Sequence, residues 1–171
     1  MTRKRIVAGA LLFMVSWLAQ SCFTFSLTTK DASIPMEAKT ISVQYFQNMA
    51  RIVEPVLSQQ ITDDFKDYIQ GNTKLILVNG SGDLDFEGSI TGYDVKPVSI
   101  TSEQASQNRF TISVKVRYTC SVKEDMDFES GFSRYEDFSS TANFEDVKAE
   151  MTENIVKLLI EDIFNKAFVN W

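Results

Sequence analysis

The most regular pattern in the sequence lies between Arg109 and Lys123. Phe110, Ile112, Val114, Val116, Tyr118, Cys120 and Val122 alternate with Arg109, Thr111, Ser113, Lys115, Arg117, Thr119, Ser121 and Lys123. A period of two places the first set on one face of a β-strand and the second set on the other. Thr40-Ile41-Ser42-Val43-Gln44-Tyr45 repeats the alternation over a shorter span. Lys74 to Val78 is a short apolar run, read as a strand buried on both faces. Leu84 to about Val95 predicts another strand, with Gly88 and Gly92 marking bulges or bends. Phe132 to Phe138 predicts a last one, with Phe132 and Phe138 on one side and Tyr135 on the other. Asn79-Gly80-Ser81-Gly82-Asp83 and Lys123-Glu124-Asp125-Met126-Asp127 read as turns, and Ser102 to Asn108 as a polar loop.

Two stretches change period. Leu57, Ile61, Phe65, Tyr68 and Ile69 fall on one stripe of a helix. Pro55 opens it in the first turn, where a missing N–H costs nothing, and Gly71 and Asn72 close it. Val147, Met151, Ile155, Leu158, Leu159 and Ile163 form the stripe of a second helix, with Asn143 as its cap and Asp146 placed for a capping box. Two amphipathic helices need an apolar sheet face to cover. The order of elements therefore predicts an α/β (α+β) fold. It is a two-layer sandwich with two helices on one face of a mixed or mainly antiparallel sheet of four to five strands.

The N-terminus carries a different pattern. Arg3, Lys4 and Arg5 precede a charge-free run from Ile6 to Leu18. That run is short for a spanning helix, which needs roughly 20 apolar residues, and suits a signal peptide. It stops at Leu18-Ala19-Gln20-Ser21-Cys22, where small residues precede a cysteine as in a lipoprotein box. The expected organisation is a lipoprotein signal peptide over 1–21, a lipidated tether over 22–37 and an α/β domain over 38–171. A plain cleaved signal with an incidental cysteine, or an uncleaved anchor helix, are the alternatives. Acyl chains on Cys22 would anchor the chain firmly, since one chain alone holds only marginally. Phe23 is not the aspartate that retains lipoproteins in the inner membrane, which favours the outer membrane.

Composition narrows the function. The formal charge is −6, and removing Arg3, Lys4 and Arg5 makes the remainder more acidic. Such a domain is a poor ligand for nucleic acid. There is no histidine, which removes histidine triads, histidine bases and histidine metal sites. With Cys22 acylated, Cys120 has no partner for an intramolecular disulfide. No catalytic residue, metal site or cofactor is expected beyond the covalent lipid on Cys22.

Within this acidic chain, Arg109, Lys115, Arg117 and Lys123 share the polar face of one predicted strand. They are the candidate ligand-binding set, suited to charge-assisted bonds with phosphate. The alternative is a solvated face whose lysines discourage edge pairing. Asp83, Asp85 and Glu87 point one way but are more simply solvated carboxylates beside a turn. Phe164, Phe168 and Trp171 either dock a partner or complete the core.

Several runs, taken in order, have a family resemblance. They are Ser33-Ile34-Pro35 with Lys39-Thr40-Ile41-Ser42-Val43, Pro55-x-Leu57-Ser58-Gln59, and Gly82-Asp83-Leu84-x-Phe86-Glu87-Gly88-x-Ile90-Thr91-Gly92-Tyr93. They continue in Asn108-Arg109-Phe110-Thr111-Ile112-x-Val114-x-Val116, Phe132-Ser133-x-Tyr135 and Glu161-Asp162-Ile163-Phe164-Asn165, ending in Asn170-Trp171. Together, behind a lipobox, they resemble the lipopolysaccharide-assembly lipoproteins of the LptE family, in a divergent form carried by one Gram-negative phylum. The resemblance implies a non-enzymatic outer-membrane lipoprotein, periplasm-facing or within a barrel lumen. It would help assemble and plug an LptD-type β-barrel and take part in lipopolysaccharide transport and insertion. Its implied partners are that barrel, lipopolysaccharide and, through the lipid anchor, the membrane. An outer-membrane lipoprotein of another class, a secretion-system pilot or small-ligand binder, is the competing expectation.

Overall fold

A computed structural model describes residues 34–98 and 107–169. The expected signal segment, Cys22, the tether up to residue 33, loop residues 102–106 and Trp171 lie outside the described residues. The described elements are β1 (Thr40–Val43), β2 (Gln47–Asn48), α1 (Leu57–Asn72), β3 (Ile76–Leu77), β4 (Leu84–Val98), β5 (Gln107–Cys120), β6 (Phe128–Ser139) and α2 (Phe144–Phe168), with a 3-10 turn at Glu124–Met126. They build one sheet of six strands in the order β3-β1-β4-β5-β6, with β2 also lying along β4. β1 is parallel to β3 and β4, and β2 is parallel to β4. β4, β5 and β6 form an antiparallel meander. The expected α+β architecture is present, and the sheet exceeds the expected strand count by β2, a two-residue strand that no hydrophobic alternation marks.

Both helices cover the same face. Phe86 of β4 meets Phe65 of α1 at 5.0 Å and Phe168 of α2 at 6.0 Å between ring centroids. Tyr118 of β5 lies 4.8 Å from Phe86 and 6.0 Å from Phe168. These offset and edge-to-face contacts add to the burial of large apolar rings. The inward residues of β5, from Phe110 to Cys120, are each at most 1% exposed. Phe46 enters this core through Gly88: a Cβ there would lie 2.2 Å from the Phe46 ring, so the glycine makes room for it. The register of β4 on β5 shifts between Ile90 and Gly92, placing a bulge at the second of the two glycines.

Four details depart from the sequence pattern. β3 is an edge strand, not one buried on both faces. Ile76 is 64% exposed while Leu75 and Leu77 pack inward. α1 begins at Leu57, two residues beyond Pro55, and runs through Gly71 and Asn72. Thr73 ends it, its N–H donating to the Ile69 carbonyl at 2.9 Å and its hydroxyl donating to the same oxygen at 2.9 Å. α2 starts as expected at Asn143, whose side chain accepts from the Glu145 N–H at 3.3 Å. Its buried stripe, however, is Met151, Thr152, Ile155, Val156, Leu159, Ile160, Ile163 and Phe164, and Leu158 is 41% exposed. At 3.6 residues per turn the two ladders starting at residues 151 and 152 share a face, and position 158 falls off it.

Candidate functional site

The sheet face opposite the helices is polar and has no helix over it among the described residues. β5 runs through its middle and carries Arg109, Thr111, Ser113, Lys115, Arg117 and Thr119 there. Its neighbours place carboxylates beside the cations. Glu87 of β4 and Glu129 of β6 both stand directly opposite Arg117, and Asp137 of β6 stands opposite Arg109.

Each cation is held by those partners. Arg109 donates from Nε and Nη2 to the two oxygens of Asp137 at 2.8 and 2.9 Å, and its guanidinium lies 3.6 Å from the centre of the Tyr135 ring. The bidentate geometry raises the Arg109 pKa and holds the Asp137 carboxyl below its usual range. Lys115 pairs with Glu129, whose carboxyl is lowered first by that hydrogen bond. Arg117 reaches Glu87 and Glu129, each at 3.6 Å. Cations and carboxylates thus alternate across the three strands, so the face is not a positive patch.

Beside Lys115 and Arg117 the face dips into an open groove of about 480 Å³. Glu87, Gly88, Ser89, Lys115, Arg117 and Glu129 line it from the sheet. The segment from the end of β1 through β2 supplies the wall with Gln44, Tyr45, Gln47 and Met49. Tyr45 is 57% and Met49 67% exposed, so the groove joins charged groups to an aromatic ring and a thioether.

Three of the four predicted basic residues share this face, and Lys123 does not. β5 ends at Cys120. The chain then turns, with the Lys123 N–H donating to the Cys120 carbonyl at 3.2 Å, and Lys123 pairs locally with Asp125 at 3.7 Å. An unbroken alternation does not reveal that the strand stops before its last basic residue. Arg109 and Lys115 also stand well apart along the strand, so only Lys115 and Arg117 meet in the groove.

The three carboxylates near the turn take separate tasks. Asp83 accepts from the Lys39 and Thr40 N–H groups and the Thr40 hydroxyl, each at 2.9 Å, and these bonds lower its pKa. Asp85 accepts from the Ser42 hydroxyl and, at 3.1 Å, from the Gln44 amide. Glu87 faces Arg117. Among the described residues no set of three acidic or cysteine side chains is placed to hold a metal ion. Phe164 and Phe168 complete the core, at 7% and 0% exposure. Among the described residues no helix is long and apolar enough to cross a membrane.

Solved structures share this fold at low identity. A minor lipoprotein from Acinetobacter baumannii matches with a TM-score of 0.51 and 9% identity, over 75% of this chain and 91% of that one. A hypothetical protein from Chlamydia trachomatis matches with a TM-score of 0.55 and 8% identity, over 78% of this chain and 99% of that one. A protein from Xanthomonas campestris matches with a TM-score of 0.52 and 9% identity, over 78% and 84%. No curated protein matches by sequence. The model of the LptE family, described as lipopolysaccharide-assembly, matches residues 38–167, and the chain belongs to that family.

Proposed function

We propose that this chain is a non-enzymatic outer-membrane lipoprotein, acylated on Cys22, that seats its open sheet face against the polar interior of an LptD-type β-barrel. There it assists barrel assembly and the passage and insertion of lipopolysaccharide. The observation that carries this reading is a three-strand face on which Arg109, Lys115 and Arg117 already have carboxylate partners.

Burying an uncompensated charge against another surface is costly. A face whose charges are paired in place loses little on being covered by a second polar surface. Its alternating signs then fix orientation more than they add affinity. Barrel interiors are polar, so a polar, uncovered sheet is the complementary shape. The groove at Lys115 and Arg117 is the part of the face suited to a sugar or phosphate group in transit. Tyr45 offers a ring face there, and the paired charges offer donors and acceptors side by side.

The test is co-purification from detergent-solubilised outer membrane using an affinity-tagged full chain. The wild type is expected to bring down a large β-barrel protein together with lipopolysaccharide. Replacing Lys115 and Arg117 together by Gln is expected to reduce recovery of the barrel or the lipid severalfold. Recovery of neither from wild type would overturn the reading, and unchanged recovery with the double variant would remove the groove from it.

A further inference from the structure

The cations of the open face are paired in two different ways. Arg109 is closed on Asp137, with both bonds of its fork made at 2.8 and 2.9 Å. Arg117 is not closed on either neighbour. It stands 3.6 Å from Glu87 through Nη1 and 3.6 Å from Glu129 through Nε. Both separations exceed the about 2.7–3.2 Å of an N–H···O hydrogen bond. Each pair therefore leaves a donor and an acceptor facing one another across a gap that a single oxygen can bridge.

The groove around Arg117 carries no net charge. Lys115 and Arg117 are its two cations, and Glu87 and Glu129 its two carboxylates. Lys115 is itself paired with Glu129. A phosphate entering here meets both carboxylates along with both cations, and like charges set together act against a ligand. An uncharged hydroxyl meets no such opposition. It donates to the carboxylate and accepts from the guanidinium, so the ion pair is bridged and not broken.

The other lining groups are uncharged. Among the described residues the Tyr45 hydroxyl, the Gln47 amide and the Ser89 hydroxyl have no hydrogen-bond partner. Gln44 donates its amide N–H groups to the Gly80 carbonyl at 3.2 Å and to Asp85 at 3.1 Å, which leaves its amide oxygen as an acceptor. Tyr45 and Met49 stand on the wall, both more than half exposed. One side of the groove is thus apolar and the floor alternates donors with acceptors. A few placed polar groups beside an aromatic surface are the usual makings of a small-ligand site.

We propose that this groove binds an uncharged sugar ring and discriminates for its hydroxyls, not for phosphate. The apolar C–H face of the ring lies on Tyr45 and Met49, where an aromatic face attracts the positive ends of C–H bonds. The hydroxyl rim lies over the floor. One hydroxyl bridges Arg117 to Glu129, and Gln47 and Ser89 hold its neighbours. This assignment rests on the reading of the groove given above, and narrows its ligand from a sugar or a phosphate to the sugar.

The experiment uses the purified full chain in detergent. The probes are the deacylated saccharide of lipopolysaccharide, the same saccharide after removal of its phosphates, inorganic phosphate alone, and intact lipopolysaccharide. Saturation-transfer NMR is expected to show the ring protons of both saccharides in contact with the protein. Their dissociation constants are expected to agree within about twofold, and to change little as rising salt screens charge. Inorganic phosphate is expected not to compete. Tyr45→Ala is expected to raise the dissociation constant about tenfold, while Tyr45→Phe, which keeps the ring, stays near wild type. Circular dichroism identifies any variant that has not folded. Binding that disappears with the phosphates overturns the proposal. So does competition by inorganic phosphate, unchanged binding by folded Tyr45→Ala, or binding of intact lipopolysaccharide alone. The barrel pull-down separates this from the wider reading. A barrel recovered by a wild type that binds no saccharide removes the sugar alone, and saccharide bound with no barrel recovered removes the docking alone.

Discussion

On one side of β5, Phe110, Ile112, Val114, Val116 and Tyr118 are sealed under two helices, none of them more than 1% exposed. On the other side, Lys115 and Arg117 have side chains 55% and 58% exposed and sit in ion pairs with adjacent strands. The two faces share one backbone but owe their order to different forces. The inner face is held by burial and by ring packing, which carry no charge for pH to titrate or salt to screen. The outer face is held by charge pairs, and exposed pairs contribute little to stability and weaken as salt is added. The lesson is that the inner face sets whether the domain folds, while the outer face is free to be shaped by what it touches.

That division is broken most severely from the inside. Phe86→Ala removes the ring on which Phe65, Tyr118 and Phe168 converge, and is expected to cost about 3–5 kcal/mol. Chemical denaturation should show the loss as a lowered midpoint, and a variant as stable as wild type would contradict the described core. Gly88→Ala comes next. Its new methyl collides with the Phe46 ring, and overpacking of this kind costs about 1–3 kcal/mol. Pairing it with Phe46→Leu is expected to recover part of the loss, which denaturation of the three variants would reveal.

The boundary between the faces responds to acid. Asp83 is held below its ordinary value of 3.8 chiefly by the Lys39 and Thr40 N–H groups. A carboxylate lowered by folding stabilises fully above its unfolded pKa and loses that effect as pH falls through the folded value. Asp83→Asn is therefore expected to be less stable than wild type near neutral pH, with the gap closing once pH drops below that lowered value. Thermal midpoints of both chains over that range decide it, and a gap that does not change with pH would count against the charge. The smallest effect on stability belongs to the outer face. Replacing Lys115 and Arg117 by Gln should shift unfolding by no more than about 0.5 kcal/mol, even as it reduces partner recovery. A large loss of stability would mean that this face, too, belongs to the folding machinery.

Much of the inner face was legible because a single period sufficed. The alternation from Phe110 to Cys120 is reproduced residue by residue in burial, and both helical stripes fall where the 3.6 period puts them, apart from Leu158. What escaped reading depends on neighbours. Ile76 looks like a core residue until the sheet order makes β3 an edge. Lys123 continues a pattern past the point where the strand has ended. Glu129 and Asp137 show no local sign that they face Arg117 and Arg109, because that is fixed by the register of β6 on β5. The groove wall of Gln44 to Met49 follows from the parallel pairing of β2 with β4, and parallel neighbours have no turn between them to announce it.

Phe86 has one more consequence, for the order of events during folding. It stands in β4, yet its surroundings come from α1 on one side and from the last turn of α2 on the other. The first helix therefore cannot finish its packing until the second has been made, almost a hundred residues later in the chain. Contacts of such long sequence separation delay folding. A partly synthesised chain of this design lacks one wall around Phe86, and that side of the core closes only once Phe168 is available.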